Sequence, residues 1–234
     1  MKNKNLKYDK SFFEGIKDGS YRSAMKVIPL VMELIKVKSV ADVGCGAGSW
    51  LKAFQKNGVK DIFGIDGNRT GVLDIPTDKF LQTDLSRPFQ LKRCFDLAVC
   101  VEVAEHLPEN RANSLVDNLT GLAPAVLFSS AIPGQGGEFH INEQWPEYWA
   151  GKFEKKGYLA LDYLRMKIWS DPEVMWWYSQ NLVLYVRKDI AKKKEKFFKS
   201  TPANRLPRLI HPDSLSIMSH LRRVKTRLLQ LIGF

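Results

Sequence analysis

Ser39-Val-Ala-Asp-Val-Gly-Cys-Gly-Ala-Gly-Ser-Trp-Leu-Lys-Ala-Phe-Gln-Lys56 decides the fold. Three of its first five residues are apolar and two of these are β-branched, as in a buried strand. Glycines follow at alternate positions, Gly44, Gly46 and Gly48. Ser49 to Lys56 then reads as a helix with Trp50, Leu51 and Phe54 on one face. A strand, a glycine turn and a helix make a cofactor site. Glycine lets a ligand approach the backbone closely, and the helix start offers unpaired N–H groups.

Working outward, further strands are expected at Asp61–Asp66, Phe80–Leu85, Phe95–Val101, Ala125–Ser130, Leu159–Leu164 and Asn181–Val186. Helices are expected at Tyr21–Val37, where Pro29 marks a kink or the true start, at Pro108–Leu122 and at Trp145–Lys156. Trp149 and Phe153 should face inward. The stretch from Gly67 to Lys79 is too short for a full helix and contains Gly71 and Pro76. Alternating strands and helices predict an α/β fold with a doubly wound, open parallel sheet. Asp66 ends the second strand, where a carboxylate suits a ribose diol.

The turn reads Asp42-x-Gly44-x-Gly46-x-Gly48, not the G-x-G-x-x-G of dinucleotide sites. With Asp66, Asp84-Leu85 and Glu102-Val-Ala-Glu-His-Leu-Pro108, residues 20–186 resemble the class I S-adenosylmethionine-dependent methyltransferases. The resemblance implies a seven-stranded, mostly parallel sheet whose last strand enters antiparallel. It implies S-adenosyl-L-methionine as cofactor and S-adenosyl-L-homocysteine as product. Asp42, Gly44, Cys45, Gly46 and Gly48 would hold the methionine end, with Asp42 near its ammonium group. Asp66 and Gly67 would meet the ribose and Asp84 the adenine amino group. Leu85 would pack on the ring, and Val101 would complete the cofactor set.

The chain has 234 residues and a net charge of +11, with 44% hydrophobic residues. That suits one domain with appendages: an N-terminal arm (1–20), a methyltransferase domain (21–187) and a basic tail (188–234). From Arg187 onward there are 13 Lys/Arg against 3 Asp/Glu, and before it 23 against 22. The domain is therefore nearly neutral, which disfavours nucleic acid as the partner of the site. No apolar run is long enough to cross a bilayer, and the basic N-terminus lacks the apolar core of a secretory signal. Cys45, Cys94 and Cys100 read as reduced thiols, which places the protein in the cytoplasm. In the tail, Leu215, Met218, Leu221, Val224, Leu228 and Leu231 recur at helical spacing beside Arg222, Arg223, Lys225 and Arg227. This amphipathic helix, residues 213–232, would meet an anionic inner-membrane surface, its own domain or a second subunit.

The acceptor side is expected beyond the strand ends, where three segments meet: Glu102–His106, Ser129–Trp145 and Arg165–Tyr178. The middle one is a long glycine-rich loop carrying His140, Asn142, Glu143, Gln144 and Trp145. Asn142 and Glu143 either face substrate or cap the helix that follows. Trp176, Trp177 and Tyr178 offer rings for stacking or pack as core, with the two tryptophans on opposite sides if extended. Transfer to a hydroxyl benefits from a general base, and histidine titrates in the right range. His140 is the first choice and His106 the second. The stretches H-x-N-E-Q-W-P-x-Y-W and W-W-Y-x-Q-N resemble bacterial methyltransferases of surface-polysaccharide and secondary-metabolite neighbourhoods. The expected reaction is O-methylation of a small sugar, glycan precursor or secondary metabolite without a metal, with N-methylation of an amine as a variant. Glu102-x-x-Glu105-His106 with His140 also resembles the ligand set of metal-assisted small-RNA 2′-O-methyltransferases. A catalytically inactive cofactor-binding subunit is the third reading.

Overall fold

The computed structural model describes residues 10–67, 73–192, 202 and 205–215. The chain forms helix α1 (Lys10–Leu34), β1 (Ser39–Val43), α2 (Ser49–Lys56), β2 (Asp61–Asp66), β3 (Phe80–Gln82) and β4 (Leu97–Val101). There follow α3 (Ala112–Leu122), β5 (Ala125–Ser129), α4 (Pro146–Lys155) and β6 (Tyr158–Leu161). The last elements are α5 (Leu164–Ile168), α6 (Trp176–Asn181), β7 (Val183–Arg187) and α7 (Lys188–Lys192).

One seven-stranded sheet runs β3-β2-β1-β4-β5-β7-β6. Every pairing is parallel except those of β7, which runs antiparallel to both β5 and β6. Strand alternation gives the sheet two apolar faces. On one, Val40, Leu97, Leu127 and Leu184 join Val27, Ile28 and Val31 of α1 and Leu51 and Phe54 of α2. On the other, Ala98, Val126, Phe128 and Tyr185 receive α3 and α4. Trp149 and Phe153 are inward as expected, and the Phe153 and Tyr185 rings stack at 4.0 Å. Among the described residues no helix is long and apolar enough to cross a membrane.

Several expectations are corrected. The first helix starts at Lys10, so the arm expected through residue 20 is largely helical. It runs through Pro29, which is exposed, while Val27, Ile28 and Val31 keep the core face unbroken. The third strand ends at Gln82, before Asp84 and Leu85, because the Asp84 side chain closes a turn onto Ser86. The sixth strand stops at Leu161, and Leu164 instead opens α5. There the buried Arg165 grips Asp162 with two bonds of 2.6 and 2.5 Å, drawing the chain off the strand line. Trp176 and Trp177 begin a helix and are not extended. The amphipathic stripe from Met218 to Leu231 lies outside the described residues, as does Gly71.

Candidate active site

The cofactor turn sits where β1 ends. Gly44 has φ +83°, and a Cβ there would collide with the Val103 side chain. Only glycine combines that torsion with that contact. The N–H groups of Gly44 and Cys45 donate to the Ile65 carbonyl at 2.7 and 3.2 Å. Gly46 N–H donates to Asp66 Oδ2 at 2.8 Å, which brings the β2 carboxylate to the turn. Gly48 precedes α2 in the left-handed region. Asp42 is buried below, and burial, then the Asp66 charge, pushes its carboxyl well above the usual range. Such a buried acid suits a cationic partner. Cys45 contributes backbone only: its thiol is pushed up by burial and packs beneath Gly64.

Asp84, expected at the adenine, is exposed and engaged in a local turn. Asp84 Oδ1 accepts from the Ser86 N–H at 2.9 Å and hydroxyl at 2.6 Å, and Arg87 lies 3.3 Å from Oδ2. The Ser86 bonds hold the carboxyl below its ordinary value. Leu85 and Val101 are buried. The buried Arg111 fastens this wall by donating to the carbonyls of Leu85 and Arg87 at 2.9 Å each. Gly67 accepts from Gln82 Nε2 at 3.3 Å.

Several residues expected on the acceptor side gather at the carboxyl ends of β4 and β5. Glu102 leaves β4 with φ 54°, a strained torsion of the kind that collects at functional sites. The His140 and His106 rings meet edge to face at 4.9 Å. Glu143 organises the loop, accepting from the N–H groups of Gly134 and Gly136 at 2.7 and 2.9 Å. Its Oε1 also lies 3.0 Å from His140 Nδ1. A carboxylate only accepts, so this contact places a proton on Nδ1 and turns Nε2 away from Glu143. A Cβ at Gly137 would strike Cε1 and Nε2 of His140, so glycine is needed for this ring position.

Behind the histidines lies a carboxylate pair, the buried Glu105 and the half-buried Glu102. Burial raises the pKa of Glu102 and, with the Glu102 charge added, drives that of Glu105 well up. Among the described residues, no donor reaches hydrogen-bond geometry on either Glu105 side-chain oxygen. Burial, then His140, lowers the pKa of His106. Ligand-capable atoms of Glu105, His106 and His140 lie within 4.8 Å of one another. This donor set fits a divalent ion: an orphaned buried carboxylate and two imidazoles converge, and Glu143 could orient His140 as a second layer.

Other expected substrate residues are distributed differently. Asn142 is buried and structural, with its N–H on the Glu105 carbonyl at 3.1 Å and its Oδ1 accepting from Gln144 at 3.1 Å. Neither Asn142 nor Glu143 caps α4, whose N-cap is Trp145 with no side-chain bond. Trp176 and Trp177 are half-buried and meet at 5.5 Å. Tyr178 turns into the core against Trp50, its hydroxyl 3.1 Å from Ser20 Oγ.

A polar relay was not foreseen. Asn181 donates to Glu102 at 3.2 Å and to Gln135 at 3.0 Å, and Gln180 Nε2 donates to Gln135 at 2.9 Å. The Gln180 Oε1 accepts the His211 N–H at 2.8 Å. Residues 205–215, within the stretch 188–234 read from the sequence as a basic tail, thus pack on the domain. Leu206 is buried in the core, and the Pro207 carbonyl accepts from Arg165 at 3.1 Å. Arg208 pairs with Glu147 at 2.6 Å and lies 4.8 Å above the Trp145 ring. The sequence signal was a Gln-Asn pair directly before an apolar strand, a place where uncompensated polar groups are costly.

A methyltransferase domain family model matches residues 19–172. No curated protein matches the chain. Among solved structures, the methyltransferase domain of bacterial CtHen1-C superposes with a TM-score of 0.52 at 20% identity, covering 72% of this chain and 98% of that one. Magnesium protoporphyrin IX methyltransferase (ChlM) from Synechocystis PCC 6803, with bound S-adenosylmethionine, gives 0.54 at 18%, covering 75% and 83%. DesVI of Streptomyces venezuelae gives 0.55 at 14%, covering 76% and 95%. At these identities the likeness shows a shared fold.

Proposed function

The chain belongs to the methyltransferase domain family and uses S-adenosyl-L-methionine, and from that premise we propose that it methylates a hydroxyl of a small sugar, glycan precursor or secondary metabolite, with His140 as general base. The observation that carries this is the 3.0 Å contact of His140 Nδ1 with Glu143, which leaves Nε2 available to the acceptor. The cofactor supplies the electrophilic methyl carbon. The protein holds the acceptor oxygen in line and takes its proton as the O–CH₃ bond forms and the C–S bond breaks. S-adenosyl-L-homocysteine is the leaving product.

A second reading has its own observation. The orphaned Glu105 carboxylate beside His106 and His140 would hold a divalent cation, with Glu102 completing the set. There the cation would bind and acidify the hydroxyl, as the resemblance to the metal-assisted 2′-O-methyltransferases implies. One experiment separates the two. Product S-adenosyl-L-homocysteine is followed over a panel of nucleotide sugars and short RNAs, with and without chelator. His140→Ala should keep cofactor affinity and lose about 10²–10⁴-fold in turnover. Activity that survives chelation supports His140 as base. Activity abolished by chelation and restored by Mn or Mg replaces that reading with the metal one. Near-normal turnover by His140→Ala defeats both.

A further inference from the structure

The polar relay has a direction, and the backbone imposes it. The His211 N–H can only donate, so the Gln180 amide turns its Oε1 toward it, at 2.8 Å. Gln180 Nε2 then faces inward, donating to Asn181 Oδ1 at 3.1 Å and to Gln135 Oε1 at 2.9 Å. With its oxygen engaged there, Asn181 directs Nδ2 at Glu102 Oε1, 3.2 Å away. A second backbone donor, the Ile132 N–H, meets Gln135 Oε1 at 3.2 Å and sends Gln135 Nε2 toward Glu102 Oε2 at 3.5 Å. Asn181 and Gln135 thus present N–H groups to the two oxygens of one carboxylate. Gln135, Gln180 and Asn181 are all buried, where an amide turned the other way would set oxygen against oxygen.

The segment that carries the first donor is held firmly. Arg165 Nη1 donates to the Pro207 carbonyl at 3.1 Å and to the Gln180 carbonyl at 3.2 Å, so one buried guanidinium ties the segment to the residue it orients. His211 Nε2 adds a bond to the Trp169 carbonyl at 3.0 Å. At the other end, Glu102 leaves β4 with φ 54° and stands within electrostatic reach of His140. We propose that residues 205–211 are part of the acceptor site, and that Asn181 is a positioning residue that holds the Glu102 carboxylate in the orientation set by the His211 N–H. An acceptor hydroxyl or a divalent cation that meets Glu102 then meets lone pairs aimed by the relay. The place of Glu102 beside the acceptor rests on the methyl-transfer reading; the orientation of Asn181 does not.

The relay is tested first without an acceptor, by nuclear magnetic resonance of the full-length protein carrying isotope-labelled asparagine. The Asn181 side-chain amide signal is assigned by its absence from Asn181→Asp. Glu102→Gln should displace it, because a charged hydrogen-bond acceptor is lost. His211→Pro deletes the N–H and should displace or broaden the signal, whereas His211→Ala keeps the N–H and should not. Lost packing alone would act in both. Calorimetry with S-adenosylmethionine verifies that each variant is folded, with affinity within about twofold of wild type. If the proline variant does not fold, Gln180→Glu takes its place: its carboxylate still accepts from His211 but gives nothing to Asn181. An Asn181 signal unmoved in folded His211→Pro or Gln180→Glu overturns the proposal, as does equal displacement by His211→Ala. With any acceptor turned over, Gln180→Glu should lower kcat about 10–100-fold and leave the KM for S-adenosylmethionine unchanged. Wild-type kcat beside a displaced Asn181 signal also overturns it, since Glu102 then needs no positioning. The amide readout involves no turnover, so an inactive acceptor panel counts against the acceptor reading alone, and Asn181 decides the relay.

Discussion

The cofactor turn and the acceptor network sit on one edge of the same sheet and are put together differently. The turn closes over short distances in sequence: Gly46 reaches Asp66 across 20 positions. Gly44 and Cys45 meet Ile65 in the adjacent strand. The acceptor side is assembled over long ones. Asn181 meets Glu102 across 79 positions, and Gln180 meets Gln135 across 45. The first region is mostly backbone donors on a rigid βα unit, so few side chains can spoil it. The second is a chain of buried amides and carboxylates in which each member needs its neighbour, so damage at one end is felt at the other.

The largest effect should come from cutting the far end of that chain. Ending the protein at Asn204 removes the buried Leu206, the Pro207 carbonyl on Arg165 and the His211 N–H on Gln180. A lost core side chain plus stranded polar groups should cost about 3–5 kcal/mol. Melting should fall by roughly 6–20 °C. Cofactor affinity of the folded fraction should stay within about twofold, since a factor of two is only some 0.4 kcal/mol. Unchanged melting would show that the acceptor side stands without residues 205–215, and the contrast would collapse.

On the cofactor side, Asp66→Ala should weaken S-adenosylmethionine binding by about 1.5–3 kcal/mol, the range for losing a charged hydrogen-bond partner. It also frees the Gly46 N–H, so part of the loss belongs to the turn. Titration calorimetry with the variant decides it, and unaltered affinity removes Asp66 from the ribose. Glu143→Gln tests the acceptor loop more gently. The amide oxygen can still accept, but without the charge that holds His140 and two glycine N–H groups. Turnover should drop about 10–100-fold with cofactor affinity intact. A drop in cofactor affinity would mean that the two regions are not independent.

The contrast also explains what the sequence disclosed. β1, α2 and β2 were legible to the residue, because a short, mostly apolar run, a glycine turn and an amphipathic stretch of helix are local facts. His106 and His140 could be nominated, but their ring contact could not. Gln135 and Gln180 look like ordinary loop and helix residues until the fold buries them. Tyr178 shows the converse, since adjacency to two tryptophans suggested a stacking surface while its hydroxyl latches to α1. Charge counting drew the tail boundary at 188, because basicity changes there. Packing does not follow charge: Ala191 and Leu206 are both buried.

The smallest effect tests whether the cofactor side stores a cost that its ligand relieves. Asp42 is buried with its carboxyl pKa raised, first by desolvation and then by Asp66. A raised folded-state pKa means that the native protein holds this proton more tightly than the unfolded chain, whose Asp titrates near about 4. The stabilising contribution is therefore complete below that value and is lost as pH rises through the folded-state pKa. Asp42→Asn mimics the protonated form at every pH. Without cofactor, the variant and wild type should melt alike in acid, and the variant should melt higher at neutral pH. The gain should be about 1–2 kcal/mol, the scale of burying a poorly compensated polar group. S-adenosylmethionine affinity should move the opposite way, because the Asn has no charge for the ammonium group. Melting of the ligand-free proteins across pH measures the first effect, and calorimetry the second. A constant gap at all pH values would mean that Asp42 titrates alike in the folded and unfolded chains, and that the turn carries no such cost. A variant that gains stability and also keeps its affinity would remove Asp42 from the methionine end and leave the backbone of the turn to hold it.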